Sequence, residues 1–221
     1  MNLTVENVSY SYRNSDAKVV KNVSSEFEPG RIYAIMGPSG SGKSTFLSML
    51  AGLDVPTQGD ILYGDKSLKE MDLDRYRREN VSMIFQAFQL FPLLTVLENV
   101  CYPMELTGMD TKSAKPKAEA FLMRVGITQD KHKRFPSNLS GGEQQRVAIA
   151  RSLASGARIL LADEPTGNLD LENSKNIMEI LSMLAHDDNY CVIVVTHDVD
   201  VSAKADVIYK MTDGIISTST D

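Results

Sequence analysis

Three short stretches of this chain concentrate the side chains able to do chemistry. The first is GPSGSGKST, residues 37–45. Gly37, Gly42, Lys43 and Ser44 satisfy Gly-x-x-x-x-Gly-Lys-Ser, preceded by an apolar strand pattern and followed by a helical one, the context in which such a loop cradles phosphate. Its glycines, with Pro38, Ser39, Gly40 and Ser41 between them, let backbone N–H groups turn inward around a triphosphate, and the helix N-terminus adds partial positive charge. Lys43 bridges the terminal phosphates as a point charge. The Ser44 hydroxyl is a hard oxygen for Mg2+, and Thr45 adds a hydroxyl beside the α-phosphate. The second stretch is RILLADEP, residues 158–165. Asp163 ends its apolar run, where a carboxylate can hold Mg2+, and Glu164 can polarise a water for attack on the γ-phosphate. A plain strand end with solvated acids would carry the same pair.

The third stretch is SNLSGGEQQRVAIARSLASG, residues 137–156. Ser140 and Glu143 form a Ser-x-x-Glu capping box, which predicts a helix starting at Ser140, burying Val147, Ala150 and Ala154 and ending at Gly156. Gly141 and Gly142 in its first turn are poor helix formers, and a cap alone does not account for them. They suit a helix start whose N–H groups a phosphate must approach. A chain with one phosphate loop does not need a second cradle for the same nucleotide. Two copies packed head to tail would let each cradle close over the nucleotide held by the other copy.

The elements that must position these residues alternate. Strand patterns run from Leu3 to Tyr12, Val19 to Phe27, Ile32 to Met36 and Gly59 to Tyr63, and the glycine-rich loop leads into a helix ending near Gly52. Helical signals dominate from Asp72 to Gly156, interrupted by VSMIFQ, and RILLADE and CVIVVTHD read as buried strands. Polar groups at the carboxyl ends of apolar strands mark the ligand edge of an open parallel sheet. The expectation is an α/β core with a small antiparallel β part in front and a helical lobe inserted at roughly 87–155.

A length of 221 residues with 43% hydrophobic and 24% charged residues fits one large domain, or one domain with an inserted lobe. The net charge of −6 disfavours general attraction to nucleic acid or anionic lipid. It hides a gradient: residues 1–111 carry 10 basic and 14 acidic side chains, residues 112–160 carry 10 and 3, and residues 161–221 carry 3 and 12. Cys101 and Cys191 suggest ordinary buried thiols in a reducing compartment. With neither a basic-then-apolar leader nor an apolar run long enough for a membrane span, the chain is expected in the cytoplasm.

Over nearly its whole length the sequence resembles the ATP-binding cassette (ABC) ATPases. The resemblance places Walker A at Gly37 to Thr45, the Q-loop at Gln86, the signature at Leu139 to Glu143, Walker B at Ile159 to Asp163 with catalytic Glu164, the D-loop at Asn168 to Asp170 and the switch histidine at His197. It implies a P-loop NTPase fold with a mostly parallel core sheet, an N-terminal antiparallel β subdomain and an inserted helical subdomain. Residues 1–86 and 156–221 would form the RecA-like core with its β part, and about 87–155 the helical subdomain. It also implies a sandwich homodimer in the ATP-bound state, each ATP lying between one subunit's Walker A and the other's Ser140, Gly141, Gly142 and Glu143. Lys43, Gln86, Glu164 and His197 would be the catalytic set, and Ser44, Gln86 and Asp163 the Mg2+ set. Gln86 otherwise reads as a polar strand end, and His197 as a structural histidine. Tyr12 resembles the aromatic that stacks on adenine, with Tyr10 as the alternative. Asn168 stands where many members have serine. His132 and His186, in charged loop-like stretches, read as solvated.

FQAFQLFPLLTVLENVCYPMEL, RFPSNLSGGEQQRVAIARSL and LLADEPTGNLD together resemble the MacB, LolD and FtsE-like branch, which includes ATPases of antimicrobial-peptide efflux and resistance. That implies a cassette on the inner face of a bacterial-type membrane, driving a separate integral-membrane permease in peptide, lipoprotein or drug efflux. Phe88 to Val100 would line a groove for a cytoplasmic helix of the permease, or simply form core of the helical lobe. The alternative function is a regulatory ABC ATPase controlling a membrane-bound cell-wall enzyme or sensor without transport. A soluble DNA-repair or translation protein fits less well, since those carry coiled-coil insertions or two fused cassettes. The charge gradient is expected to serve the dimer in part, with Arg146 and Arg151 facing Asp163, Glu164 and Asp170 across ATP. Lys112, Lys115 and Lys117 would lie on outward faces.

Overall fold

Short apolar runs separated by glycine and asparagine turns build two sheets. The computed structural model describes residues 1–13 and 17–218. In chain order the first half contains β1 (Leu3–Ser11), β2 (Lys18–Phe27), β3 (Arg31–Met36), α1 (Lys43–Leu50), β4 (Gln58–Tyr63), β5 (Lys66–Ser67), α2 (Leu73–Glu79), β6 (Val81–Phe85) and α3 (Val96–Leu106). The second half contains α4 (Thr111–Arg124), α5 (Gly141–Ala154), β7 (Ile159–Asp163), α6 (Leu171–His186), β8 (Cys191–Thr196), α7 (Val199–Ser202), β9 (Val207–Thr212) and β10 (Ile215–Thr218). The smaller sheet has the order β2-β1-β4-β5, and its β1 pairs antiparallel with both β2 and β4. The larger sheet has the order β10-β9-β3-β8-β7-β6 and is parallel throughout except for β10.

β3, β7 and β8 read as nearly continuous apolar runs because elements cover both faces of the larger sheet. Every residue of β8 is buried. Residues on the face that includes Ile35, Leu161 and Ile193 form one core with the smaller sheet and α1, Phe27 and Phe46 among them. Those on the face that includes Leu160, Val192 and Val194 join a second core with α3, α4, α5 and α6. The register then decides the site. Met36 lies opposite Thr196, Asp163 opposite Val195, and Phe85 opposite Asp163. Gly37, His197, Glu164 and Gln86, each one residue further on, therefore leave the sheet along the same edge. The β9–β10 hairpin and α6, which the sequence patterns above do not single out, complete this layer.

Local signals set the helix ends. α5 starts with both halves of its capping box, Glu143 N–H to Ser140 Oγ at 3.3 Å and Ser140 N–H to Glu143 Oε2 at 2.8 Å. Val147, Ala150 and Ala154 are buried, and beyond it Gly156 takes a φ of 80°. The helix end is therefore the one its residues predict. His132 departs from its expected solvation: it is 3% exposed, with Nε2 3.3 Å from the Ile127 carbonyl oxygen. The cause is backbone pairing. Val96 N–H donates to the Arg134 carbonyl and Leu97 N–H to that of His132, so the strip beside the start of α3 turns residue 132 inward while Lys133 and Arg134 face out. His186 is at the surface, with Nε2 3.0 Å from Asp206 Oδ2. Both cysteines are buried, and burial raises Cys101 to about 11 and Cys191 to about 12, which keeps them as protonated thiols. No helix among the described residues is long and apolar enough to cross a membrane.

The capping box of α3 gives a test of these local signals. The Thr95 hydroxyl and then its N–H hold the Glu98 carboxyl below its ordinary value of 4.5. The contribution is complete above that value and is lost as pH falls through the lower folded-state value. Thr95→Ala should cost about 1 kcal/mol in urea unfolding at neutral pH, and the cost should shrink in acid. An equal cost at both pH values would contradict the coupling to Glu98.

Candidate nucleotide site

Between β3 and α1 the chain folds into a loop held from behind. A Cβ on Gly37 would stand 2.1 Å from the Met211 carbonyl oxygen in β9, and one on Gly42 would stand 2.7 Å from that of Val19 in β2. These glycines are required by the strands pressing on the loop as well as by any ligand in front of it. Gly42 also has a φ of 102°, and Gly40, at 79°, faces open space. The turn of the β9–β10 hairpin adds a further hold, Gly214 N–H to the Ser41 carbonyl at 3.0 Å. α1 starts at Gly42 without a side-chain cap, so its first N–H groups remain available to an anion. Lys43 is buried, its Nζ donating to the carbonyls of Gly37 at 2.7 Å and Pro38 at 2.9 Å.

Opposite the loop stand the ends of β7 and β8. Ser44 Oγ donates to Asp163 Oδ1 at 3.3 Å. Burial pushes the Asp163 carboxyl above the usual carboxylate range, against the Ser44 hydrogen bond, while the Glu164 charge raises it further and Lys43 lowers it. A carboxylate held at such cost favours a cation beside it. Glu164 has a left-handed φ of 48°, its N–H donates to the Val195 carbonyl at 2.9 Å, and its Oε1 lies 2.8 Å from His197 Nδ1. A cavity of about 570 Å³, lined by Gly40, Lys43, Ser44, Thr45, Glu164 and His197 among others, separates the two walls. Ser44 and Asp163 are a fitting pair for Mg2+, which takes few protein oxygens and completes its shell with water and phosphate. Among the described residues no group of three or more His, Cys, Asp or Glu gathers as a closed metal cage.

Tyr12 follows β1, 49% exposed, with its hydroxyl 2.8 Å from Thr45 Oγ1. Tyr10 lies edge-on against it at 5.1 Å and donates its own hydroxyl to Asp54 Oδ1 at 2.9 Å. Of the two candidates, Tyr12 therefore presents the more open ring beside the loop.

A second constellation stands apart from this cavity, whose lining includes none of residues 140–143. Gln86 does not join Ser44 and Asp163: its Nε2 donates to Asn168 Oδ1 at 3.1 Å, and Asn168 Nδ2 returns a bond to the Gln86 carbonyl at 3.0 Å. The signature helix α5 braces these loops through residues that the motifs do not point to. Gln145, fully buried, donates from Nε2 to the Pro165 carbonyl at 2.8 Å and the Phe85 carbonyl at 3.4 Å. Arg151 donates to the carbonyls of Gln89 at 2.6 Å and Phe88 at 3.2 Å, holding two residues with φ near 54° and 53°. Its guanidinium also lies 5.7 Å from the Phe91 ring. Arg151 is thus turned into its own chain and is not the free interface charge expected above. A buried glutamine on a helix face of small apolar residues was the available signal for Gln145. Glu143 is held below the usual carboxylate range chiefly by an ion pair with Lys131. Asp170 caps α6 by accepting from Asn173 N–H at 2.8 Å.

The model of the ABC transporter family matches residues 20–167. The chain is 40% identical over 212 residues to the uncharacterized ABC transporter ATP-binding protein YclH of Bacillus subtilis, covering 96% of this chain and 94% of YclH. It is 39% identical over 217 residues to the lipoprotein-releasing system ATP-binding protein LolD 2 of Rhodopirellula baltica, covering 94% and 85%. Among solved structures it is similar to the ATP-binding cassette MJ0796, described as a dimeric post-hydrolysis state bound to ADP and Pi, with a TM-score of 0.87, 37% identity and coverage of 97% and 96%. Taken with the loop, the strand ends and the sheet order above, these likenesses show that the chain belongs to the ABC transporter family, as one of its ATP-binding and ATP-hydrolysing subunits.

Proposed function

We propose that this subunit drives a separate membrane permease of the MacB, LolD or FtsE-like type through ATP-dependent dimerisation. The observation that carries the reading is a single cavity with the Lys43 loop and Ser44 on one wall and the Glu164–His197 pair on the other, with Ser44 bonded across to Asp163 at the end of β7. The loop N–H groups and Lys43 bind the phosphates, and Tyr12 carries the adenine. Ser44 and Asp163 would hold Mg2+, which would supply charge neutralisation on the phosphates. Glu164, as a carboxylate, accepts at Oε1 from His197 Nδ1–H, which leaves Oε2 to take a proton from the attacking water. Left-handed backbone at Glu164 aims that oxygen. Gln86 enters the site by exchanging its bond to Asn168 for contacts in the closed dimer. Ser140, Gly141, Gly142 and Glu143 cover the nucleotide of the second subunit, with Asn168 and Asp170 beside them.

For the permease, the segment from Phe88 to Val100 divides in two. Val96 and Val100 belong to the core, whereas Leu93 is 87% exposed and Phe91 lies at the surface. A cavity of about 360 Å³ lined by Phe85, Gln89, Phe91, Tyr102, Pro103 and Arg151 adjoins the exposed half. Walls that set Phe85, Phe91, Tyr102 and Pro103 beside Gln89 and Arg151 suit a short amphipathic cytoplasmic helix of the partner. Arg151 links this dock to the Q-loop. The likeness to a lipoprotein-releasing ATPase supports an efflux or extraction role at the inner face of the membrane.

Glu164→Gln should keep ATP binding, lose about a hundredfold or more in turnover, and accumulate as a nucleotide-dependent dimer in size-exclusion chromatography. Normal turnover would remove Glu164 from this role. Lys43→Ala should instead weaken ATP binding itself in equilibrium titration, and an unchanged affinity would sink the loop assignment.

A further inference from the structure

We propose that Asn173 is a positioning residue that sets the spacing between the signature helix α5 and the Asp170 turn within one subunit, and that Gly142 is a glycine in order to receive it. The two adjacent signature glycines have different surroundings. A Cβ on Gly141 would meet Leu169 Cδ2 at 3.4 Å and Phe88 Cζ at 3.6 Å, which are ordinary contacts. On Gly142 it would stand 2.0 Å from Asn173 Oδ1, 2.4 Å from its Cγ and 3.0 Å from its Cβ. A methyl group there collides with the same chain's own asparagine before any nucleotide arrives.

Asn173 is not free to step aside. Its N–H donates to Asp170 Oδ1 at 2.8 Å, and its Nδ2 reaches Oδ1 at 3.0 Å and Oδ2 at 2.9 Å. The Asp170 carboxyl is held below the usual carboxylate range by the Asn173 N–H first and its side chain second. One carboxamide therefore fixes the turn at the start of α6 with one edge and fills the space over the first turn of α5 with the other. Close-packed contacts of this kind transmit displacement. A shift of the Asp170 turn is passed to Gly141 and Gly142, the residues whose N–H groups face the second subunit's nucleotide in the reading above, on which the inference rests.

The test is a double-mutant cycle on the full chain, read as ATPase kcat and KM, as ATP-dependent dimerisation in the Glu164→Gln background, and as melting temperature. Gly142→Ala should lose about tenfold or more in kcat. Adding Asn173→Ala should recover about fivefold or more of that loss, because it removes the colliding group. Asn173→Asp keeps the shape but sets a carboxylate against Asp170. It should lower kcat while leaving KM within about twofold, since ATP is first taken up on the opposite wall. If Gly142→Ala melts early, the cycle is read in melting temperature, where Asn173→Ala must restore it. A double variant no better than Gly142→Ala, or a Gly142→Ala variant with normal kcat and stability, would overturn the proposal. Wild-type turnover and the Glu164→Gln dimer report separately on the cassette reading itself.

Discussion

The parallel pairing of β3, β8, β7 and β6 is the constraint on which the site depends. Gly37, His197, Glu164 and Gln86 are far apart in sequence, and they leave the sheet along one edge only because Met36, Thr196, Asp163 and Phe85 end their strands there. A one-residue slip in any pair would send the terminal side chain to the opposite face of the sheet. Burial on both faces prevents that slip: β8 has no exposed residue, and β3 and β7 are buried along most of their length. The hydrophobic effect thus positions charged groups that it would never bury on its own account.

At that edge several rules of an ordinary interior are relaxed together. Glu164 holds a left-handed φ without being glycine, Lys43 is buried against two carbonyls, and Asp163 is a carboxylate that its surroundings disfavour. Each is unfavourable for the chain alone, and in the proposed function a polyphosphate and a divalent cation between the walls would offset that cost. The phosphate loop can tolerate this because its back is braced by β2, β9 and the Gly214 turn. Gly37 and Gly42 are accordingly fixed from behind by strand backbone, before any ligand is considered.

Much of this arrangement was legible in the sequence, for identifiable reasons. Lys43, Ser44, Asp163, Glu164 and His197 each sit at a strand end or loop whose pattern is local, and the capping box at Ser140 announces its helix. What local patterns do not carry are contacts made across elements. His132 looks solvated in KHKR, yet pairing with the start of α3 turns it inward. Arg151 looks like a surface charge, yet it donates to the Phe88 and Gln89 carbonyls. That changes the meaning of the charge gradient. One of its two signature-helix arginines serves the chain's own Q-loop, while Lys112, Lys115 and Lys117 do lie outward. Gly142 carries the same lesson, since nothing in SGGE announces Asn173, thirty-odd residues away in α6.

Neither subunit, in this account, holds a complete catalytic site, and a mixing experiment tests that most directly. One variant, Lys43→Ala, loses its phosphate loop. The other, Gly141→Asp, places a negative charge on the signature at a position where an added Cβ makes only ordinary contacts, and an unchanged melting temperature checks that it folds. Each alone should be inactive. In a mixed dimer one of the two shared sites combines an intact loop with an intact signature, so an equal mixture is predicted to regain about a quarter of wild-type ATPase. A mixture as inactive as its components, with mixed dimers shown to form, would contradict the account.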